Sequence, residues 1–125
     1  MRSPALRRLV LWAPVFLLLA IESWISSRPH VPMPRIPFAD KVIHAGYFFG
    51  VGIWAVRAAR PEGWPARRLV LTLLVGAALY AAADEWHQAY VPGRDSSVAD
   101  AMADTAGVAL AVAAFARRRV PILEA

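Results

Sequence analysis

Four stretches of this chain are apolar enough, and nearly long enough, to cross a bilayer, which leaves few folds open to it. They run from about 9 to 25, 41 to 59, 69 to 90 and 98 to 116. A hydrocarbon core takes about 20 helical residues to span. The expected fold class is therefore all-α, a polytopic membrane bundle of four transmembrane helices forming one domain over residues 1–125. Composition agrees: 58% hydrophobic and 18% charged residues are too apolar a balance for a soluble domain of 125 residues, and an ordinary one for a membrane protein with short charged loops.

The third stretch has an instructive length. Its apolar run, Leu69–Ala83, is too short to span, and reaches bilayer length only if Asp84-Glu85-Trp86-His87-Gln88 lies inside its last turns. Ionisable groups at membrane depth are expensive, about 2.5–3.5 kcal/mol each at a helix centre on insertion scales. That segment is where function is expected.

Basic residues set the topology. The N-terminus, the 57–68 connection and the C-terminus carry Arg2, Arg7, Arg8, Arg57, Arg60, Arg67, Arg68, Arg117, Arg118 and Arg119, ten cations. The other two connections carry four, Arg28, Arg35, Lys41 and Arg94. By the positive-inside rule both termini are cytoplasmic, N-in and C-in. Trp24, Trp86 and Tyr90 then fall near the outer interface and Trp54 and Trp64 near the inner one. The first stretch lacks a small-x-small cleavage site, Glu22-Ser23-Trp24 being a poor one, so it is read as a retained span rather than a signal peptide. Pro29, Pro32, Pro34 and Pro37 should stiffen the first outer loop. Pro61-Glu62-Gly63-Trp64-Pro65 reads as an inner turn, and Pro92-Gly93 as a type II turn that directs Arg94 back toward the helix ends.

In that topology the acids are lopsided. Glu22, Asp40, Asp84, Glu85, Asp95, Asp100 and Asp104 all lie in the outer half, with His30, His44 and His87, whereas only Glu62 and Glu124 lie inside. On the second helix Asp40, His44 and Tyr47 share a face by spacing; Asp40 and Lys41 suit a helix start, and His44 lies a turn deeper, where it needs a role. On the third, Glu85 and Gln88 form one i, i+3 pair and Asp84 and His87 another, and Glu85 and Gln88 are expected inward with Trp86 toward the headgroups. Ser97-x-x-Asp100 is a capping-box pattern. Asp104, deeper on the same face, needs a partner such as Arg94 or His44. Gly107, Gly46-x-x-x-Gly50 and Gly76 are expected to permit close helix packing.

The candidate polar pocket is thus Asp40, Lys41, His44, Glu85, Gln88, Arg94, Asp100 and Asp104. With no cysteine, disulfides, thiolate metal sites and cysteine nucleophiles are excluded. His44, His87 and Glu85 are ligand types zinc accepts, but no HExxH or tight His pair is present, so neither a metal nor a cofactor is expected. Ser96 or Ser97 could pair with His44, though no nucleophile elbow surrounds either; acid–base work by Glu85 and His44 is the better chemistry. The +5 net charge sits at the flanks of apolar runs with no basic stripe, so no nucleic acid is expected.

Asp40-Lys41-x-x-His44-x-x-x-Phe48, Glu85-x-x-Gln88-x-x-x-Pro92-Gly93-Arg94 and Asp100 with Gly107, together with Ser26-Ser27 at the end of the first span, resemble the VanZ-like family over about residues 9 to 116. The resemblance implies a four-helix integral membrane protein of a bacterial cytoplasmic membrane. It also implies an accessory role in the cell envelope or in glycopeptide resistance of the teicoplanin type, without implying a reaction. Where that family's pattern has Asn, four residues after its last Asp, this chain has Asp104. Three functions are open. The first is an accessory or binding protein at the outer face, whose partners are the bilayer and an envelope precursor, a lipid headgroup or a membrane protein. The second is a membrane-embedded hydrolase or transferase on a lipid-linked substrate, with Glu85 and His44 as acid–base pair. The third is a small transporter, for which four helices without matching broken segments are a thin scaffold.

Overall fold

The computed structural model describes residues 3–29 and 32–117. Arg2, His30, Arg118, Arg119 and Glu124, used above for topology and charge placement, lie outside them. Four helices follow in order: α1 (Pro4–Ser26), α2 (Ala39–Ala59), α3 (Ala66–Gln88) and α4 (Val98–Phe115), with a single 3₁₀ turn, Arg60–Glu62, after α2. All four are long and apolar enough to cross a membrane. The shortest, 18 residues, is about 27 Å long at 1.5 Å per residue.

Each boundary has a local cause, and several correct the expected ones. α1 begins at Pro4 rather than near 9: Pro fits the first turn, where no N–H is needed, and the Ser3 hydroxyl accepts from the Leu6 amide at 3.2 Å. Arg7 and Arg8 are therefore helical. α2 begins at Ala39, not 41, behind Phe38 in the left-handed region at φ +63° with no side-chain cap. α3 starts at Ala66 behind Pro65 and ends at Gln88, two residues short of the expected end, where the chain tightens through Tyr90 N–H to the His87 carbonyl. α4 ends at Phe115. The Pro92-Gly93 turn is type II: Gly93 sits at φ +77° and the Arg94 amide donates to the Val91 carbonyl at 3.2 Å.

The most extensive helix contact is α2 on α4, followed by α3 on α4; α1 leans on α2 and barely touches α3. Small residues make the α2–α4 approach. A Cβ added at Gly107 would meet the backbone of Ala45 and Phe49, and one at Gly52 would stand 2.6 Å from Ala111 Cβ. The expected packing glycines Gly46, Gly50 and Gly76 are a correction, since a Cβ at any of them meets nothing within 4 Å. The core holds Val15, Phe48, Val51, Val56, Leu69, Leu73, Val108 and Val112. Leu9, Phe16, Leu17, Leu71, Val75, Leu79 and Leu110 face outward, a distribution that requires lipid rather than water around the bundle. Aromatic rings with cations mark both ends: Arg28 over Trp24 (4.0 Å) at one, Arg57 by Trp54 (5.2 Å) and Arg68 by Trp64 (4.7 Å) at the other. At the latter end Arg8 forks onto Glu62 (2.9 and 3.0 Å), and Arg60 donates to the Phe115 carbonyl at the close of α4.

Candidate functional site

At the opposite end, the last turns of α3 and the first turns of α4 and α2 close on a group of buried polar side chains. Asp84 and Glu85 are each 6% exposed, Gln88 2% and Asp104 0%. Asp84, Glu85 and Gln88 of α3 can all be inward because α2 and α4 flank the helix on one side and the end of α1 on the other.

The carboxylates are held individually. His44 Nδ1, from α2, donates to Asp104 Oδ1 at 2.8 Å. Gln88 Nε2, one turn along α3, donates to Asp84 Oδ2 at 3.1 Å. The Ser97 amide donates to Glu85 Oε2 at 2.8 Å, and the Ser96 hydroxyl to the Glu85 carbonyl at 2.8 Å. Only half of the expected capping box forms. The Ser97 hydroxyl accepts from the Asp100 amide (3.3 Å), but the Ser97 amide goes to Glu85 instead of to Asp100. Asp100 turns to Lys41, whose ammonium lies 2.5 Å from both Asp100 Oδ1 and Asp40 Oδ2. Lys41 thus ties α2 to α4 at the rim.

One carboxylate oxygen each of Asp84, Glu85 and Asp104 falls within 4.8 Å of the others. At that separation and an effective dielectric of about 20, two like charges repel by about 3.5 kcal/mol. Three ionised carboxylates would oppose one another by about 10 kcal/mol, so the group needs a compensating positive charge. Among the described residues no Lys or Arg forms an ion pair with any of the three; His44 is their one basic partner. Glu85 Oε1 and Asp104 Oδ2 are buried without any hydrogen-bond partner, as is the Ser26 hydroxyl at the end of α1. Among the described residues this trio, rather than His44, His87 and Glu85, brings three groups of metal-ligand type together; His87 is exposed.

Of the expected pocket, His44, Glu85, Gln88 and Asp104 come together, and Lys41 and Asp100 flank them. Asp40 sits at the rim, its side chain 40% exposed, and meets Lys41; of its expected face-mates His44 turns to α4 and the Tyr47 hydroxyl donates to the Leu18 carbonyl of α1 at 2.6 Å. Arg94 is half-buried on the turn and pairs with none of the carboxylates among the described residues. Asp84 is inward as well as the expected Glu85 and Gln88, whereas its i, i+3 mate His87 is not. The i, i+4 spacing of Tyr80, Asp84 and Gln88 carried the signal. Glu22 and Tyr80 were also missed. The Tyr80 hydroxyl lies 2.7 Å from Glu22 Oε2, 2.9 Å from the Leu19 carbonyl and 2.7 Å from the Ser23 hydroxyl, joining α3 to α1.

Tyr80 lines two cavities. A polar one of about 260 Å³ is lined by Ser23, Ser27, Ala83, Asp84 and His87 with Tyr80; an apolar one of about 250 Å³ runs between α1, α2 and α3 past Trp12, Phe16, Leu19, Phe48, Leu73 and Gly76.

Fold and site together define a four-span membrane protein with a buried carboxylate–histidine cluster at one end of its bundle. The sequence matches the VanZ/LLP1 family model over residues 6–119, nearly the whole chain, and the protein belongs to that family. No curated protein and no solved structure matches the chain.

Proposed function

We propose that this protein binds an envelope lipid from the outer leaflet of a bacterial cytoplasmic membrane, as an accessory protein in cell-envelope processes or in glycopeptide resistance of the teicoplanin type. Both termini lie on the cytoplasmic side in this reading, following the ten-to-four division of its cations. The observation that carries it is the wall shared at Tyr80, which lines an apolar groove and also a cavity with polar side chains. That is the shape an amphiphile needs, a slot for a chain ending at groups for a head. Asp84 is the acid among the polar side chains that line that cavity, with His87 and the Ser23, Ser27 and Tyr80 hydroxyls, and the Glu22 carboxylate accepts from Tyr80 beside it. A headgroup rich in donors, amino or sugar hydroxyl, is the matching chemistry.

Gly76 supplies the test, because a Cβ there meets nothing within 4 Å while the residue lines the groove. Gly76→Leu should fill the slot without touching the polar cluster. Native mass spectrometry of protein released from nanodiscs containing phosphatidylethanolamine, phosphatidylglycerol and a glycolipid should find a retained amino- or glycolipid on the parent chain and at least tenfold less on the variant. Equal retention by both would refute the reading.

A second reading has its own support. His44 bonded to Asp104, with Glu85 converging on the same point, is a dyad with a further carboxylate, suited to proton transfer. On that reading the protein is a membrane-embedded hydrolase or transferase of a lipid-linked substrate, with Glu85 and His44 as acid–base pair. In the same nanodiscs it would convert the lipid over time, and His44→Ala would stop the conversion.

A further inference from the structure

We infer that Asp84, Glu85 and Asp104 form a binding site for one hard divalent cation of the Mg²⁺, Mn²⁺ or Ca²⁺ type. The inference goes beyond lipid binding and rests on none of that reading.

Three observations carry it. The first is convergence: an oxygen from each carboxylate lies within 4.8 Å of the other two, the spread over which one ion can be shared. The second is the pattern of hydrogen bonds. Glu85 is fixed through Oε2 by the Ser97 amide, which leaves Oε1 buried and without a partner. Asp104 is fixed through Oδ1 by His44, which leaves Oδ2 buried and without a partner on a side chain that is 0% exposed. Asp84 is oriented by Gln88. One oxygen held by an outer donor and the other left bare is how metal-ligating carboxylates are arranged. A carboxylate that served only the fold would use both oxygens, because an unsatisfied buried acceptor costs free energy.

The third observation is charge. Lys41 is committed to Asp40 and Asp100, and among the described residues neither Arg94 nor any other cation pairs with the trio. His44 balances at most one of three negative charges, and Glu22 stands nearby on α1, bonded to Tyr80, adding another acid rather than a base. A divalent cation restores the balance. The donor set is all oxygen, which selects hard ions over zinc or copper. Asp84 also lines the polar cavity, giving the ion and its remaining water ligands a route from the bundle surface.

Full-length protein, purified in detergent, stripped with EDTA and then titrated with Mn²⁺ under electron paramagnetic resonance, tests this without any lipid ligand. One saturable Mn²⁺ per chain is expected, displaced by Mg²⁺ or Ca²⁺. Asp104→Asn and Glu85→Gln should each weaken binding at least tenfold, while Glu62→Gln at the far end of the bundle leaves it unchanged. Asp104→Asn keeps its shape and a partner for His44, so the metal-free variant should melt no lower than the metal-free parent, a result that a purely structural role for Asp104 would reverse. Should one variant not fold, the parent titration still decides, because a monodisperse parent with no saturable Mn²⁺ overturns the proposal. So does undiminished binding in folded Asp104→Asn and Glu85→Gln. Neither failure alters lipid retention in the Gly76→Leu comparison, so the two readings fall separately.

Discussion

Gly107→Ala should cost this bundle more than its single methyl group suggests. The new Cβ would stand 2.9 Å from the Phe49 amide nitrogen and 3.1 Å from the Ala45 carbonyl carbon, and closer still to the Ala45 oxygen. Ordinary contact begins at 3.4 Å, so the nearer approaches fall short by about 0.5 Å or more. All three atoms are backbone of α2, which cannot rotate away as a side chain could. Relief requires α2 and α4 to part, at about 1–3 kcal/mol for overpacking of this kind. Ala in place of Gly returns up to about 1 kcal/mol of helix propensity, leaving a net loss of up to about 2 kcal/mol. Gly46→Ala and Gly50→Ala gain the same propensity and meet nothing, so they should be neutral or stabilising. Thermal unfolding in detergent, followed by size-exclusion fluorescence, should rank Gly107→Ala lowest by several degrees. Asp104 lies one turn before Gly107, and Ala45 follows His44, so a parted α2–α4 seam also stretches the 2.8 Å His44–Asp104 bond. Equal melting of the three variants, or a lower value for Gly46→Ala, would refute the seam as described.

Two further outcomes are expected. Tyr80→Phe removes the hydroxyl shared by Glu22, Ser23 and the Leu19 carbonyl and should destabilise by about 1–3 kcal/mol; a double-mutant cycle with Glu22→Gln should give a coupling above about 0.5 kcal/mol, and additive losses would count against a tyrosine tie. Lys41→Met removes the bridge between Asp40 and Asp100; with the lysine side chain 31% exposed and screened the loss should be about 1 kcal/mol and shrink as salt is raised, which a denaturation series in NaCl would reveal.

The fold was legible because the solvent writes it. Four bilayer-length apolar stretches admit little besides four spanning helices, and the short run Leu69–Ala83 placed Asp84–Gln88 within α3, where it lies. The Pro92-Gly93 turn followed from the positive φ that only glycine adopts freely. Which polar residues meet was harder to read. Helical spacing placed Asp84 and Glu85 100° apart and favoured one over the other, but an arc flanked by three helices buries both, and the flanks are set by tertiary packing. The glycines failed for the same reason: Gly46 and Gly50 have the spacing of a packing motif, whereas the face that approaches a neighbour is chosen by Gly52 and Gly107 across the α2–α4 seam. Arg94 carries the opposite charge to the cluster, and charge alone suggested a pairing that its place on the turn does not make.

Packing divides the bundle into two parts, and the division bears on how a ligand could reach the site. In lipid there is no hydrophobic force to drive helices together, so close approach of small residues and interhelical hydrogen bonds must do it. The α2–α4 pair uses the first, through Gly52, Gly107 and Ala111, and this fixes the helices that carry His44 and Asp104. α1 relies on the second. The Tyr47 hydroxyl reaches the Leu18 carbonyl and the Tyr80 hydroxyl reaches Leu19 and Glu22, while the face between α1 and α3 stays open as the apolar groove. A helix held by a few hydrogen bonds can shift at less cost than one wedged by backbone contact, because each such bond contributes about 1 kcal/mol. The rigid pair therefore preserves the geometry of the carboxylates, and in the proposed lipid-binding function α1 is the wall that yields to admit a chain beside them.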